Sequence, residues 1–215
     1  MARNAGPLDW TPESEEDYEV ARSYLKEHFA DWCAGNGTEI EADAGEAPIH
    51  YKWGYLDGHL TRWRCEDLDE VYLELHPAKV IVEEDDLGSV LPEAKAFMTF
   101  LAESGLLDPA SDEIDVLLDH LDHIEGRFHR NMGDVARYSF GKRFWLAAAA
   151  EGIGPDDEEG VRSFMDTFNA RPRAEREAML GRLPLGSSLR TPTGRFTPPG
   201  TRPRAPSAKR RKRRR

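Results

Sequence analysis

The sequence predicts a mainly α-helical fold: a single acidic helical domain over residues 1–185, and a disordered, Pro/Arg-rich basic tail over residues 186–215. Three observations carry that reading. Apolar residues recur three and four apart in most segments between Thr11 and Leu180, which places them on one helix face. Capping residues, glycines and prolines stand where those segments begin and end. Strand-like patterning is confined to one short stretch near residues 50–63.

Taken in order, Thr11 is placed to cap a first helix, with Pro12 at its first position. Tyr18, Ala21, Leu25, Phe29 and Trp32 then follow a period close to 3.6, and Gly35-Asn36-Gly37 stops the run. Residues 37–47 are polar and irregular and read as a loop. Ile49–Trp53 and Leu60–Trp63 flank Asp57-Gly58, a pattern that fits either a short β-hairpin or irregular turns. Glu66–Leu75 fits a helix ended by Pro77. Pro92 opens a helix with Ala94, Phe97, Met98 and Leu101 inward, closed by Gly105. Ser111 is placed to cap a long helix in which Ile114, Leu117, Leu121, Ile124 and Phe128 form one stripe ending near Gly133. Asp134 is the expected cap of the next helix, which runs to Glu151. Pro155 and the acids Asp156–Glu159 start another, with Val161, Phe164, Met165 and Phe168 inward. Pro172 starts a last short helix toward Leu180.

The 215 residues are 39% apolar, enough for one sizeable core. No apolar run approaches the roughly 18 residues that a membrane span requires, so no membrane partner is expected. Met1-Ala2-Arg3-Asn4 leads into acids rather than an apolar segment, which argues against a secretory signal. The two cysteines, Cys33 and Cys65, are isolated, so neither a disulfide framework nor a cysteine-rich zinc site is expected. Together these point to a cytoplasmic protein.

The formal net charge of −11 averages two unlike parts. Of the 29 Lys and Arg, 11 lie in residues 186–215, which hold no acid; residues 1–185 therefore carry 18 bases against 40 acids, a balance of −22. The tail has five prolines, three glycines and only Leu189 and Phe196 as sizeable apolar side chains, too few to offset the entropy of ordering. Its last seven residues, Lys209, Arg210, Arg211, Lys212, Arg213, Arg214 and Arg215, are all cationic. Such a run neutralises phosphates without reading bases, and makes RNA, DNA or the ribosome the candidate partner. The competing reading is that the tail docks on its own acidic body, which it meets at an effective concentration reaching the millimolar range.

The chemistry-bearing cluster is Asp119-His120-Leu121-Asp122-His123 on the long helix. His120 and His123, three apart, share a helix face, as do Asp119 and His123, four apart; imidazole with carboxylate suits zinc, manganese or iron, so Asp119, His120 and His123 form the candidate metal site of an alternative, metal-dependent reading. The remaining ligands would have to come from another helix. No nucleophile elbow, phosphate-binding P-loop or dinucleotide fingerprint is present, and no cofactor is expected. The histidines at 28, 50, 59, 76 and 129 read as packed or surface residues, as do the five tryptophans, which are interleaved with acids rather than arginines. Cys33, beside Trp32 at the end of an amphipathic helix, reads as core.

Several blocks occur in order: Lys52-Trp53, Asp57-Gly58-His59-Leu60-Thr61-Arg62-Trp63, Asp67-Leu68-Asp69-Glu70-Val71, His76-Pro77-Ala78-Lys79-Val80, Leu91-Pro92 with Phe97 and Phe100-Leu101, and Phe168-Asn169-Ala170-Arg171-Pro172 with Arg176. Over roughly residues 50–180 this pattern resembles an uncharacterised family of conserved hypothetical actinobacterial proteins. Ala78 stands where that pattern has arginine. The resemblance implies a bacterial, cytoplasmic setting and brings no catalytic residues. The resulting expectation is a non-enzymatic interaction protein whose cationic tail contacts a polyanion such as RNA or DNA without sequence specificity.

Overall fold

The computed structural model describes residues 9–38, 40, 45–83, 85–154 and 156–181. The basic tail, including the expectation of its disorder, lies outside them. The described residues form helices α1 (Glu15–Asn36), α2 (Glu46–Gly54), α3 (Cys65–Asp69), α4 (His76–Lys79), α5 (Val90–Glu103), α6 (Ile114–Gly133), α7 (Phe140–Ala150), α8 (Glu158–Ala170) and α9 (Arg173–Leu180). A π-helical turn (Glu70–Leu75) joins α3 to α4, and a 3-10 turn (Val135–Arg137) precedes α7. The mainly α reading holds, and there is no strand among the described residues.

The hairpin reading of residues 50–63 is corrected. Ile49–Trp53 lies inside α2, where Ile49 and Tyr51 face the core, and Tyr55–Arg64 follows as turns. Leu60–Trp63 is held by long-range main-chain bonds instead of a strand partner: Leu60 N–H donates to Trp10, and Asp108 N–H donates to the carbonyl of Thr61.

Three caps also differ from expectation. Ser14, not Thr11, caps α1, its hydroxyl oxygen accepting from Asp17 N–H at 3.1 Å; Thr11 meets His59 instead. Ser111 does not cap α6, because its hydroxyl accepts from Trp63 N–H at 3.1 Å, while Asp112 accepts from Cys65 N–H at 2.9 Å. Asp134 caps only the 3-10 turn, and Ser139 caps α7. Thr11, Ser111 and Asp112 thus serve neighbours distant in sequence, while Asp134 serves the turn directly after it.

The core is built from apolar stripes that the period of 3.6 marks out. Tyr18, Ala21, Leu25, Phe29 and Cys33 of α1 meet Phe97, Phe100 and Leu101 of α5, and Leu117, Leu121, Ile124, Phe128 and Met132 of α6 close the other side. Each fully buried Leu, Ile or Phe contributes about 1.5–3 kcal/mol relative to exposure. Gly37 ends α1 at φ 64°, a left-handed conformation that costs glycine little. The segment from Cys65 to Lys79 is buried against α6, with Leu68, Val71, Tyr72, Leu73 and Leu75 inside. Helices α7 and α8 carry a separate aromatic cluster of Phe140, Phe144, Phe164 and Phe168, which stands beside the main core rather than within it.

Candidate functional site

The seven candidate nucleic-acid residues, Lys209–Arg215, lie outside the described residues. The candidate metal residues are on α6, but their surroundings do not form a ligand set. His120 Nε2 sits 3.0 Å from Asp69 Oδ1, linking α6 to α3, while Asp119 and His123 are exposed. Among the described residues, no group of three or more His, Cys, Asp or Glu side chains could hold a metal ion.

What the fold brings together instead are two sets of buried cations. The first is centred on Lys52 of α2, whose side chain is fully buried. Its Nζ donates to Asp67 at 2.5 Å, lies 3.2 Å from Asp57, and sits 5.2 Å from the centroid of the Trp63 ring. Asp67 also accepts from Arg64 N–H at 3.0 Å, starting α3, and Asp57 accepts from Arg62 at 2.7 Å. Burial pushes the Asp57 carboxyl up, but the Arg62 hydrogen bond, the His59 N–H and the Lys52 charge outweigh it and hold it below its ordinary value. Desolvating an ammonium costs several kcal/mol unless it is paired, and two carboxylates and an aromatic face meet that need. Residues 52, 57, 62, 63 and 67 stand out as blocks in the sequence; folded, they are one ion cluster pinning the turn after α2 to the start of α3.

The second set surrounds Pro77. The helix does not stop at this proline, as expected, but runs through it to Lys79. Proline lacks the N–H that would bond the carbonyl four residues back, at Leu73. That carbonyl is satisfied from elsewhere: Asn131 Nδ2 donates to it at 2.9 Å and Arg137 Nη1 at 3.3 Å. The π-helical turn before it shifts the ladder by one residue, with His76 N–H bonding Val71. Beyond the proline, Lys142 Nζ donates to the Pro77 carbonyl at 3.0 Å, and Ser139 N–H donates to Ala78 at 2.9 Å. Helix α7 is thus docked on main-chain oxygens of α4.

Among the described residues Lys142 has no carboxylate partner; its Nζ lies 3.9 Å from the centroid of the Tyr138 ring, and burial pulls its pKa down to about 8. Nearby, His76 is buried among Tyr51, Tyr72 and Phe128, and its Nδ1 has no hydrogen-bond partner among the described residues. Burial, followed by the Lys142 charge, lowers its pKa to about 4. Arg143, also buried, donates to the carbonyls of Tyr138, Val135 and Leu180 at 3.0, 2.5 and 2.9 Å, holding the end of α9 against α7. An amine near pKa 8 has the reactivity of a base, but Tyr138 and the Pro77 carbonyl cover it, so these groups act as ties between backbones. The sequence signal was the adjacent pair Lys142-Arg143 within the otherwise apolar α7.

Elsewhere, α7 and α8 frame a shallow, solvent-open groove of about 450 Å³, lined by Trp145, Glu158, Val161, Arg162 and Met165. Met165 does not face the core, as the spacing suggested, but is 46% exposed, and Trp145 is 38% exposed. Both thiols are held toward the neutral form: burial raises the Cys33 pKa, and burial with the adjacent Asp112 raises that of Cys65 to about 11.

Fold and sites together define an all-helical acidic body whose buried cations hold main chains and carboxylates in place. No family model, curated protein or solved structure matches the chain. No helix among the described residues is long and apolar enough to cross a membrane.

Proposed function

We propose that this chain is a non-enzymatic interaction protein whose C-terminal cations, Lys209–Arg215, contact a polyanion, RNA or DNA, through its phosphates. The observation that carries the reading is the division of charge, −22 over residues 1–185 against 11 uncompensated cations after them. The arrangement of the body supports it. Arg22 pairs with Glu19 and Glu46, Lys95 with Asp122, Arg137 with Glu74, and Arg173 with Glu177, while Lys52, Lys142 and Arg143 are buried. Part of the body's cationic charge is thus engaged at home, and the dense run of cations lies in the tail. Binding releases counterions from the polyanion, and the acidic body repels it, which limits overall affinity.

The test is a pull-down with the full chain, with and without nuclease, beside a chain lacking residues 205–215. The reading expects associated macromolecules to be lost on nuclease treatment and on truncation. An association that survives both overturns it.

A further inference from the structure

The groove between α7 and α8 is, among the described residues, an unpartnered apolar surface in a strongly acidic setting. Between Glu151 and Asp166 the chain carries Glu151, Asp156, Asp157, Glu158, Glu159 and Asp166, all exposed, against the single base Arg162. The open indole of Trp145 and the thioether of Met165 form its apolar floor, with Val161 half-buried between them. A fitting occupant is therefore cationic, with an isolated aromatic or aliphatic side chain. One such segment is covalently at hand: within residues 189–204, Leu189 and Phe196 are the sizeable apolar residues, and Arg190, Arg195, Arg202 and Arg204 flank them without an acid.

The end of the described chain supports the same occupant. Leu180 is fastened to α7 by Arg143, and Trp145 is two residues further along α7, about 200° around the helix. Reaching the groove means passing around a helix roughly 10 Å across. Phe196 lies fifteen residues beyond Gly181, a length that spans roughly 20 Å as a flexible coil.

We propose that residues 189–204 of the same chain fold back onto this groove, with Phe196 entering between Trp145 and Met165 and Arg190 and Arg195 lying over the acids of its rim. Arginine is suited to both neighbours, since its guanidinium pairs with carboxylates and stacks on indole. The contact is intramolecular, so modest affinity suffices at the effective concentration of a tethered segment. It keeps part of the tail on the acidic body, so polyanion must compete with the body for the cations. That consequence rests on the polyanion reading above; the docking itself does not.

The test uses the full chain labelled with 5-fluorotryptophan, whose five tryptophan signals are separated by fluorine NMR and assigned for Trp145 with Trp145→Phe. Phe196→Ser, a change outside the described residues, is expected to move the Trp145 signal and leave the other four in place. Raising salt in the unchanged protein is expected to move it the same way. A Trp145 signal identical with and without Phe196 overturns the proposal. So does a signal that moves on dilution, which would assign the groove to a second copy of the chain. Polyanion affinity is read separately: if docking competes, Phe196→Ser tightens binding by about threefold or more. If no polyanion binds at all, the fluorine signal still decides the docking.

Discussion

Asn131 on α6 donates its side-chain amide to the carbonyl of Leu73 at 2.9 Å, the oxygen that Pro77 leaves without its helical donor. A helix thereby continues through a proline because another helix supplies the missing hydrogen bond. Removing that donor by Asn131→Ala leaves the Leu73 carbonyl only the longer Arg137 bond and is expected to destabilise the fold by about 1 kcal/mol. In a double-mutant cycle Pro77→Ala, which restores the local N–H, is expected to offset part of that loss. Strictly additive effects in denaturant unfolding would contradict this account of Pro77.

Lys52 makes a contrasting pair of predictions through its partners. Asp67→Ala leaves a fully buried ammonium short of its nearest carboxylate and is expected to cost about 3–5 kcal/mol. Arg62→Ala removes an outlying partner of Asp57 and is expected to cost no more than about 1 kcal/mol. Equal effects on the urea midpoint would mean that Lys52 does not organise the cluster.

His76 ties stability to acid. Its folded pKa of about 4 lies below the ordinary 6.5, so between those values the unfolded chain binds a proton that the folded chain does not. Stability therefore falls as pH drops through that window, by up to about 3 kcal/mol from this residue. His76→Leu removes both the titration and the unpaired Nδ1. Unfolding free energies at pH 7 and pH 4.5 are expected to differ less in the variant than in the parent protein. An unchanged difference would show that His76 is not held neutral.

Lys142 makes the opposite end of the scale visible. With a folded pKa of about 8 against 10.5, the unfolded chain holds more protons between those values, and stability gains a rising contribution as pH increases through them. Lys142→Met is expected to lack that rise while leaving the Pro77 carbonyl without its donor. Parallel stability curves for the two proteins from pH 7.5 to 10 would contradict it.

The helices were legible where one face is apolar and the other wet. Leu117, Leu121, Ile124 and Phe128 of α6, and Ala94, Phe97, Met98 and Leu101 of α5, are buried as their spacing implies. What misled were groups whose partners lie far along the chain. Ile49–Trp53 has too few residues to distinguish a helical turn from a strand, and its identity is settled by the packing of Ile49 and Tyr51 and by Lys52 reaching Asp67. Pro77 reads as a stop unless Asn131 and Arg137 are known to stand opposite Leu73. Asp119, His120 and His123 show the reverse: a local pattern suggests ligands, but His120 is turned to Asp69 and no third group converges among the described residues. Met165 is open, against the inward place its spacing implies, because spacing identifies an apolar stripe without saying whether another helix arrives to cover it.

The most direct test of the charge division is the salt dependence of binding, measured by anisotropy with a labelled 20-base-pair duplex. If all seven terminal cations engage phosphates, the logarithm of the association constant falls against that of salt concentration with a slope of about −6. Replacing Lys209–Arg215 with serine is expected to abolish binding. A slope near zero, or full affinity in the replaced chain, would contradict the account.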